Sequence, residues 1–255
     1  MLKKEDKFLK SNLLTPFKNL SHAFSTRNGG YSQKSYHSNN LAFHVGDDKN
    51  DVITNHQLLA RELGYDYTKL VHMKQIHSDI IHIVTDKDDF FNPPECDALV
   101  SNKKNIPIMI MSADCLPIII YDPLLHVIAV VHAGRAGAFK NIASKTIKIM
   151  QEHFSCKIES LHVSLGASIH GCCYEVNESI AKEAKALGYE EMISYKETKP
   201  FLHVNTIVKK QLESIGVKFI DELEYCSACE NRTFFSYRVD GRVTGRNAAI
   251  AMLTS

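Results

Sequence analysis

A chain of 255 residues with 44% hydrophobic and 23% charged residues has the balance of an ordinary soluble globular protein and can bury one sizeable core. Its 30 Lys and Arg against 29 Asp and Glu leave a formal charge of +1 with no basic stripe, which excludes nucleic acid as the expected partner. The apolar run at 106–121 is broken by Asp114 and two prolines, which excludes a spanning helix, and the charged N-terminus lacks the apolar stretch of a signal peptide, so the cytoplasm is the expected compartment.

From the N-terminus, the mixed-sign run Lys3-Lys4-Glu5-Asp6-Lys7 reads as a solvated end, and residues 1–19 as an extension of a single domain covering 1–255. A short strand is expected at 20–25, then a turn-rich loop, Arg27-Asn28-Gly29-Gly30-Tyr31-Ser32. Val52, Ile53, His56, Leu59, Ala60 and Leu63 recur at helical spacing over 51–63, and Gly64 stops that helix. Residues 70–84 alternate and are β-branched, so they should contain strand, with Gln75, His77 and Asp79 on one face; His72 and His82 read as surface residues. Asn92-Pro93-Pro94-Glu95 is a turn rather than a linker. Buried strands are expected at 106–111, 117–121, 127–131 and 161–165, and helices at 141–153, 179–187 and 204–214. The segment Arg232-Thr233-Phe234-Phe235-Ser236-Tyr237-Arg238 reads as a structural strand, with Arg238 as an anion contact. Strands both alternate with helices and follow one another directly, which argues for mixed or antiparallel sheet with helices outside.

Two places combine reactive side chains with rigid strand ends. Ser112-Ala113-Asp114-Cys115-Leu116-Pro117 puts a thiol between two apolar strands, and His132-Ala133-Gly134-Arg135-Ala136-Gly137 puts an imidazole between a strand and a helix, on a loop whose glycines admit close approach. Cys115 and His132 each read equally well alone as structural residues, and His77 alone as part of an exposed edge strand. Together, one thiolate and two imidazoles form a catalytic zinc set with an open fourth position, or a copper set, and not a magnesium or calcium one. Asp114 reads as the partner that orients a histidine or as a proton-transfer group. The same side chains also read as a cysteine nucleophile with His132 as base and Asp114 as orienter. Seven cysteines in a reducing compartment should be thiols, ligands or nucleophiles rather than a disulfide framework. Cys226-Ser227-Ala228-Cys229 has the spacing of half a structural zinc site but no second half nearby in sequence, and Cys172-Cys173 reads as part of a packed turn.

In order along the chain, Phe24-Ser25-Thr26-Arg27-Asn28-Gly29-Gly30-Tyr31-Ser32, Asn40-Leu41-Ala42-Phe43-His44-Val45-Gly46-Asp47-Asp48, Gln75-Ile76-His77-Ser78, Ala113-Asp114-Cys115, His132-Ala133-Gly134, Cys172-Cys173-Tyr174-Glu175-Val176 and Phe234-Phe235-Ser236-Tyr237-Arg238 together resemble a known family. It is variously called multicopper polyphenol oxidase (laccase-like), peptidoglycan editing factor and purine nucleoside phosphorylase. The resemblance runs from about residue 20 to residue 250. It implies an α+β fold: a layered α/β/β/α sandwich with mixed sheets, similar to toxin-like cysteine hydrolases. It implies zinc at His77, Cys115 and His132, with copper as the alternative metal. It implies phosphorolysis of adenosine, inosine, guanosine and methylthioadenosine, with adenosine deamination in the same site and phenol oxidation as a side activity. Purine nucleoside and phosphate are then the expected partners, with no nucleic acid or membrane, and the chain is a monomer or a homodimer. Arg27 is the first choice for phosphate and His44 the second, with Asn40, Lys74 and Gln75 lining the substrate pocket. Editing of a cell-wall precursor by a cysteine hydrolase is the runner-up, and a non-enzymatic binding protein the third reading. The sequence departs from the family's usual His-Ala-Gly-Trp-Arg-Gly at His132–Gly137, with no tryptophan in the chain, and it carries Ala167-Ser168-Ile169-His170 where Gly-Pro-x-Ile-Gly is more usual.

Overall fold

The computed structural model describes residues 6–254; most of the charged run at 3–7 lies outside them. In chain order the strands and helices are β1 (Phe8–Leu9), β2 (Leu20–Ser25), α1 (Lys49–Leu63), β3 (Ile81–Ile83), β4 (Ala98–Ser101), β5 (Ile108–Ser112), β6 (Leu116–Asp122), β7 (Val127–Ala133), α2 (Arg135–Phe139), α3 (Ile142–Phe154), β8 (His162–Leu165), α4 (Glu178–Ala186), β9 (Ile193–Lys196), β10 (Lys199–Leu202), α5 (Val204–Ser214), β11 (Phe219–Glu222), α6 (Tyr237–Asp240) and β12 (Asn247–Leu253). Among the described residues, no helix is long and apolar enough to cross a membrane.

Two sheets face each other, the smaller antiparallel throughout and the larger mixed, with β11–β8 and β3–β4 as its parallel pairs. One runs β1-β2-β12-β5, the other β11-β8-β6-β7-β4-β3. Side-chain alternation along each strand sorts residues into layers. Phe24, Ile108, Ile110, Leu99, Ile119, Tyr121, Ile128, Val130, Ala249 and Ala251 meet between the sheets. The alternate positions Ala98, Val100, Ile118, Ile120, Ala129 and Val131 turn outward from the larger sheet onto Ile147 and Met150 of α3 and Ile207 and Val208 of α5. On the smaller sheet Ala23, Met109, Met111, Ala248 and Ile250 face Leu59 of α1 and Leu70. The result is the α/β/β/α sandwich. The strands β6 and β7 are buried throughout and mostly apolar because they are covered on both faces. Each fully buried large apolar side chain there contributes roughly 1.5–3 kcal/mol.

Helix boundaries follow their capping residues. The Asp48 carboxylate accepts from the Asn50 amide to open α1, and Gly64, at φ 76°, closes it. Asn177 opens α4 in the same way. Two expectations are corrected and one strand is added. Residues 70–84 contain only β3 and isolated bridges, because Lys74 to Ile80 leave the sheet to form a loop. Residues 232–238 form a turn leading into α6 rather than a strand. The alanine-rich run at 247–253, unassigned from sequence, is the central strand β12, paired with β2 on one side and β5 on the other. Residues 6–19 are integral to the fold: β1 pairs with β2, and Leu14 is buried between the sheets.

Candidate metal centre

Strand register brings the candidate ligands together. In the antiparallel β6–β7 pair, Pro117 opposes His132 and Leu116 opposes Ala133, so Cys115 at the entrance of β6 lies beside the exit of β7. On the other side of β7, the His132 amide donates to the Asp97 carbonyl at 2.8 Å, just before β4. His77 arrives on the loop that precedes β3, in the left-handed region at φ 57°. The ligand atoms of His77, Cys115 and His132 all lie within 4.8 Å of one another.

Asp97 organises this arrangement. Its side chain is fully buried. Oδ1 accepts from His132 Nδ1 at 2.9 Å and from the His77 amide at 3.1 Å. Oδ2 accepts from the Ser78 amide at 2.6 Å, the Ser78 hydroxyl at 2.7 Å and the Ile76 amide at 3.3 Å. One carboxylate therefore pins both the His77 loop and the His132 ring. With Nδ1 occupied by Asp97, His132 turns Nε2 toward Cys115, which is how a second partner fixes the tautomer of a metal-ligating histidine. Close approach at the fourth side requires Gly134: a Cβ there would stand 3.0 Å from Cys115 Sγ and 3.3 Å from His77 Cδ2.

The electrostatics favour charged ligands. Burial pushes the Cys115 thiol up, but the His132 imidazole and then His77 more than reverse this and hold it at about 6. Burial pulls His132 down, while the Cys115 thiolate and Asp97 raise it to about 9. Asp97 is held at about 2 because, against its burial, hydrogen bonds from His132 and Ser78 stabilise the carboxylate. A soft thiolate and two imidazoles, with one side open, fit a four-coordinate zinc ion with an exchangeable position, and the geometry also suits copper.

The centre lies in the wall of a cavity of about 720 Å³. Met73, Met111, Ile169, Tyr174 and Tyr237 supply its apolar and aromatic surface, and His44, Lys74, Arg238 and Arg246 its cationic or basic groups. Of the pocket residues expected from sequence, three are here. Gln75 lines the cavity while locking the end of β5, donating to the Met111 carbonyl at 2.7 Å and accepting from its amide at 2.8 Å. Lys74 lines it and pairs with Glu95 at 2.6 Å. His44 lines it too, and burial, then Arg246, lowers the pKa of its imidazole.

Other expectations change. Arg27 is not in the cavity wall; it donates to the carbonyls of Asn231 and His37, pairs with Asp240 at 3.5 Å and covers the Phe235 ring. Asn40 is fully buried outside the wall, where its Oδ1 accepts from the Arg246 amide at 3.0 Å and so positions Arg246. Asp114 lines the cavity but does not orient a histidine: it accepts from the Ser227 hydroxyl at 2.7 Å and the Arg238 amide at 2.6 Å, with φ at 88°. Asp97 has the orienting role. Asp79 shares no strand face with His77 and instead pairs with Lys145 and Lys140. Arg135, one place earlier than the usual arginine, pairs with Glu183 at 3.1 Å and lies over Phe139. Sequence reading passed over Asp97 and gave Tyr174, Tyr237 and Arg246 no place in the pocket they line. Asp97 stands directly before the apolar Ala98-Leu99-Val100, the same strand-end signal that marked Cys115 and His132.

Comparison with known proteins agrees in sequence and in fold. Residues 21–254 match the family described as multi-copper polyphenol oxidoreductase laccase. A purine nucleoside phosphorylase of Corynebacterium glutamicum is 36% identical over 231 residues, covering 90% of this chain and 93% of that protein. One from Streptomyces coelicolor is 34% identical, covering 90% of this chain and 94% of its own. Among solved structures, the Bacillus licheniformis hypothetical protein YfiH superposes with a TM-score of 0.89 at 28% identity, over 93% of this chain and 94% of its own. YlmD from Geobacillus stearothermophilus gives 0.88 at 26% identity, over 98% and 100%. The chain therefore belongs to the multi-copper polyphenol oxidoreductase laccase family, whose curated relatives include proteins named purine nucleoside phosphorylase.

Proposed function

We propose that this chain is a zinc-dependent purine nucleoside phosphorylase that acts on adenosine, inosine, guanosine and methylthioadenosine and deaminates adenosine in the same site. The observation that carries the reading is the convergence of His77, Cys115 and His132, backed by Asp97, in the wall of a cavity that combines aromatic and cationic surface. Bound zinc would supply Lewis-acid polarisation and a water of lowered pKa, the chemistry deamination needs. The chain's own residues do the rest. Tyr174, Tyr237, Met73 and Ile169 offer the flat apolar surface that a purine ring requires, and Arg238, Arg246 and Lys74 the charge that holds phosphate against the ribose. In phosphorolysis a phosphate oxygen bonds to the anomeric carbon as the carbon–nitrogen bond to the base breaks, so holding both partners in one dry cavity is the main requirement. Copper-dependent phenol oxidation is a side activity on this reading, because a redox copper enzyme needs more ligands than this centre provides.

A cysteine hydrolase is the second reading, favoured by the Cys115 thiolate, the His132 imidazolium and the Asp97 carboxylate in line. His77, aimed at the same sulfur, favours a metal instead. Treatment of the pure protein with a strong chelator and, separately, with a thiol alkylator after zinc loading separates the two. Phosphate-dependent base release lost to the chelator supports the phosphorylase. Amide cleavage that survives the chelator and is lost to the alkylator supports the hydrolase.

A further inference from the structure

Four of the seven cysteines take no part in the centre above and meet elsewhere. The turn after β8 carries Cys172 and Cys173, and the turn before α6 carries Cys226 and Cys229; the ligand sulfurs of all four lie within 4.8 Å of one another. The half-site that sequence left without a partner has its second half 57 residues upstream. Cys172 Sγ is 3.7 Å from Cys173 Sγ and 3.6 Å from Cys229 Sγ, and Cys173 Sγ is 3.4 Å from Cys229 Sγ. A tetrahedron of sulfurs about 2.3 Å from a zinc ion has edges of about 3.8 Å, close to these separations. A disulfide would need a pair at about 2.05 Å and would leave the other sulfurs crowded against it.

We infer that Cys172, Cys173, Cys226 and Cys229 bind a second, structural zinc ion as a closed tetrathiolate site. The surroundings suit the net negative charge of such a site. The His170 amide points at Cys226 Sγ from 3.4 Å, and the amides of Ala228 and Cys229 face the same sulfur, the arrangement that a Cys-x-x-Cys turn gives a bound thiolate. Lys196 Nζ donates to the Cys172 carbonyl at 2.6 Å, and the Arg238 guanidinium reaches the carbonyls of Cys173 and Glu175 at 3.5 and 2.9 Å. Cys172 and Cys229 are exposed, so an ion enters from solvent, whereas Cys226 is buried and anchors the site to the fold. All four positions are protein sulfur, with none left for water or substrate, which marks the site as structural. It ties together two loops that furnish the catalytic cavity: Tyr174 follows Cys173 directly, and Ser227, between Cys226 and Cys229, holds Asp114.

The test is zinc stoichiometry of the reduced, zinc-replete full chain, followed by cobalt substitution of Cys115→Ala, in which all four loop cysteines are intact. The expected result is two zinc ions per chain in the wild type, one in Cys115→Ala, and the intense visible spectrum of cobalt in four thiolates from that variant. Cys229→Ser should lose that spectrum. If Cys229→Ser does not fold, the spectrum of Cys115→Ala decides alone. One zinc per wild-type chain, absent from Cys115→Ala, would overturn the inference. So would a cobalt spectrum without sulfur ligation, or disulfides among the four cysteines in freshly reduced protein.

Discussion

The two candidate metal sites are built in opposite ways. His77, Cys115 and His132 sit at the ends of strands that the two-sheet core already fixes, and a single buried carboxylate aligns two of them. Cys172, Cys173, Cys226 and Cys229 sit on turns, with only Cys226 buried. A scaffold that exists without metal can leave a coordination position open for chemistry. Loops that depend on metal for their mutual position use all four positions to hold themselves. The difference predicts which cluster fails when it is disturbed, and how.

The largest expected effect separates chemistry from fold. Cys115→Ala should lose the metal of the cavity and at least the roughly 10²–10³-fold in turnover that removal of a pre-organised electrostatic contact costs. Its melting temperature should stay near that of the wild type, since the sandwich core does not rest on the centre. Zinc content, turnover and thermal denaturation check the three parts. Stripping metal from the wild type with a chelator should be a harsher insult to the loops. Limited proteolysis should then cut first near 172–173 or 226–229, before any site in the sheets.

Asp97→Asn is the next step down. It leaves the ligands in place but removes the charge that, after Cys115, helps to raise His132 and that gathers the His77 loop. We expect a 10–100-fold loss of metal affinity or activity, the usual cost of losing such a partner. A metal titration with turnover measured at saturating zinc reads both, and an unchanged zinc affinity would count against the role given to Asp97. Gly134→Ala should be milder, a several-fold weakening of zinc binding, because the added methyl meets Cys115 Sγ at 3.0 Å and the side chain must give way. Circular dichroism should show an intact fold.

The smallest effect is a control on acid sensitivity. His22 is buried beneath the N-terminal segment, and its Nε2 accepts from the Ser11 amide at 3.0 Å, which requires the neutral ring. Burial, with Lys10 nearby, lowers its pKa to about 4 from 6.5. The unfolded chain binds this proton first, so the stability that neutral His22 contributes is whole above pH 6.5 and is lost as pH falls towards 4, on the order of 3 kcal/mol at most. Metal-free protein should therefore still lose stability across that range in denaturant titrations, and His22→Asn should flatten the loss. Without this control, acid release of metal from either cluster would be confused with acid destabilisation of the fold.

Much of the molecule was legible in the sequence for physical reasons that differ by region. Strand β2, the centres of β5 to β8 and helices α1, α3, α4 and α5 carry their own period, and α1 and α4 their own caps as well, so they stand close to where the residues place them. Cys115 and His132 were visible because a polar reactive group at the end of an apolar strand stands out. His77 was found, but on a strand face that does not exist: alternation in 70–84 suggested a sheet, while the buried Asp97 carboxylate draws the chain into a loop instead. Asp97 itself escaped notice because its partner lies 35 residues away in sequence, across a strand pair. Arg27 looked like a phosphate ligand because of its glycine loop, yet Asp240 and two carbonyls consume it, and Arg246 lines the cavity from the far end of the chain. Strand β12 was missed because an alanine-rich run carries no clear period. Pairings that the register or a distant loop creates are the part that local pattern does not encode.

In the proposed function, the cavity centre at His77, Cys115 and His132 carries metal-dependent phosphorolysis. The most direct measurement is a chromatographic time course of the pure protein with inosine and phosphate, with and without a strong chelator, alongside Cys115→Ala. Hypoxanthine that requires phosphate, disappears with chelator, returns on zinc addition and is absent from Cys115→Ala is the predicted result. Zinc-loaded wild-type protein that releases no base from inosine, adenosine or guanosine, or a Cys115→Ala variant as active as the wild type, would contradict it.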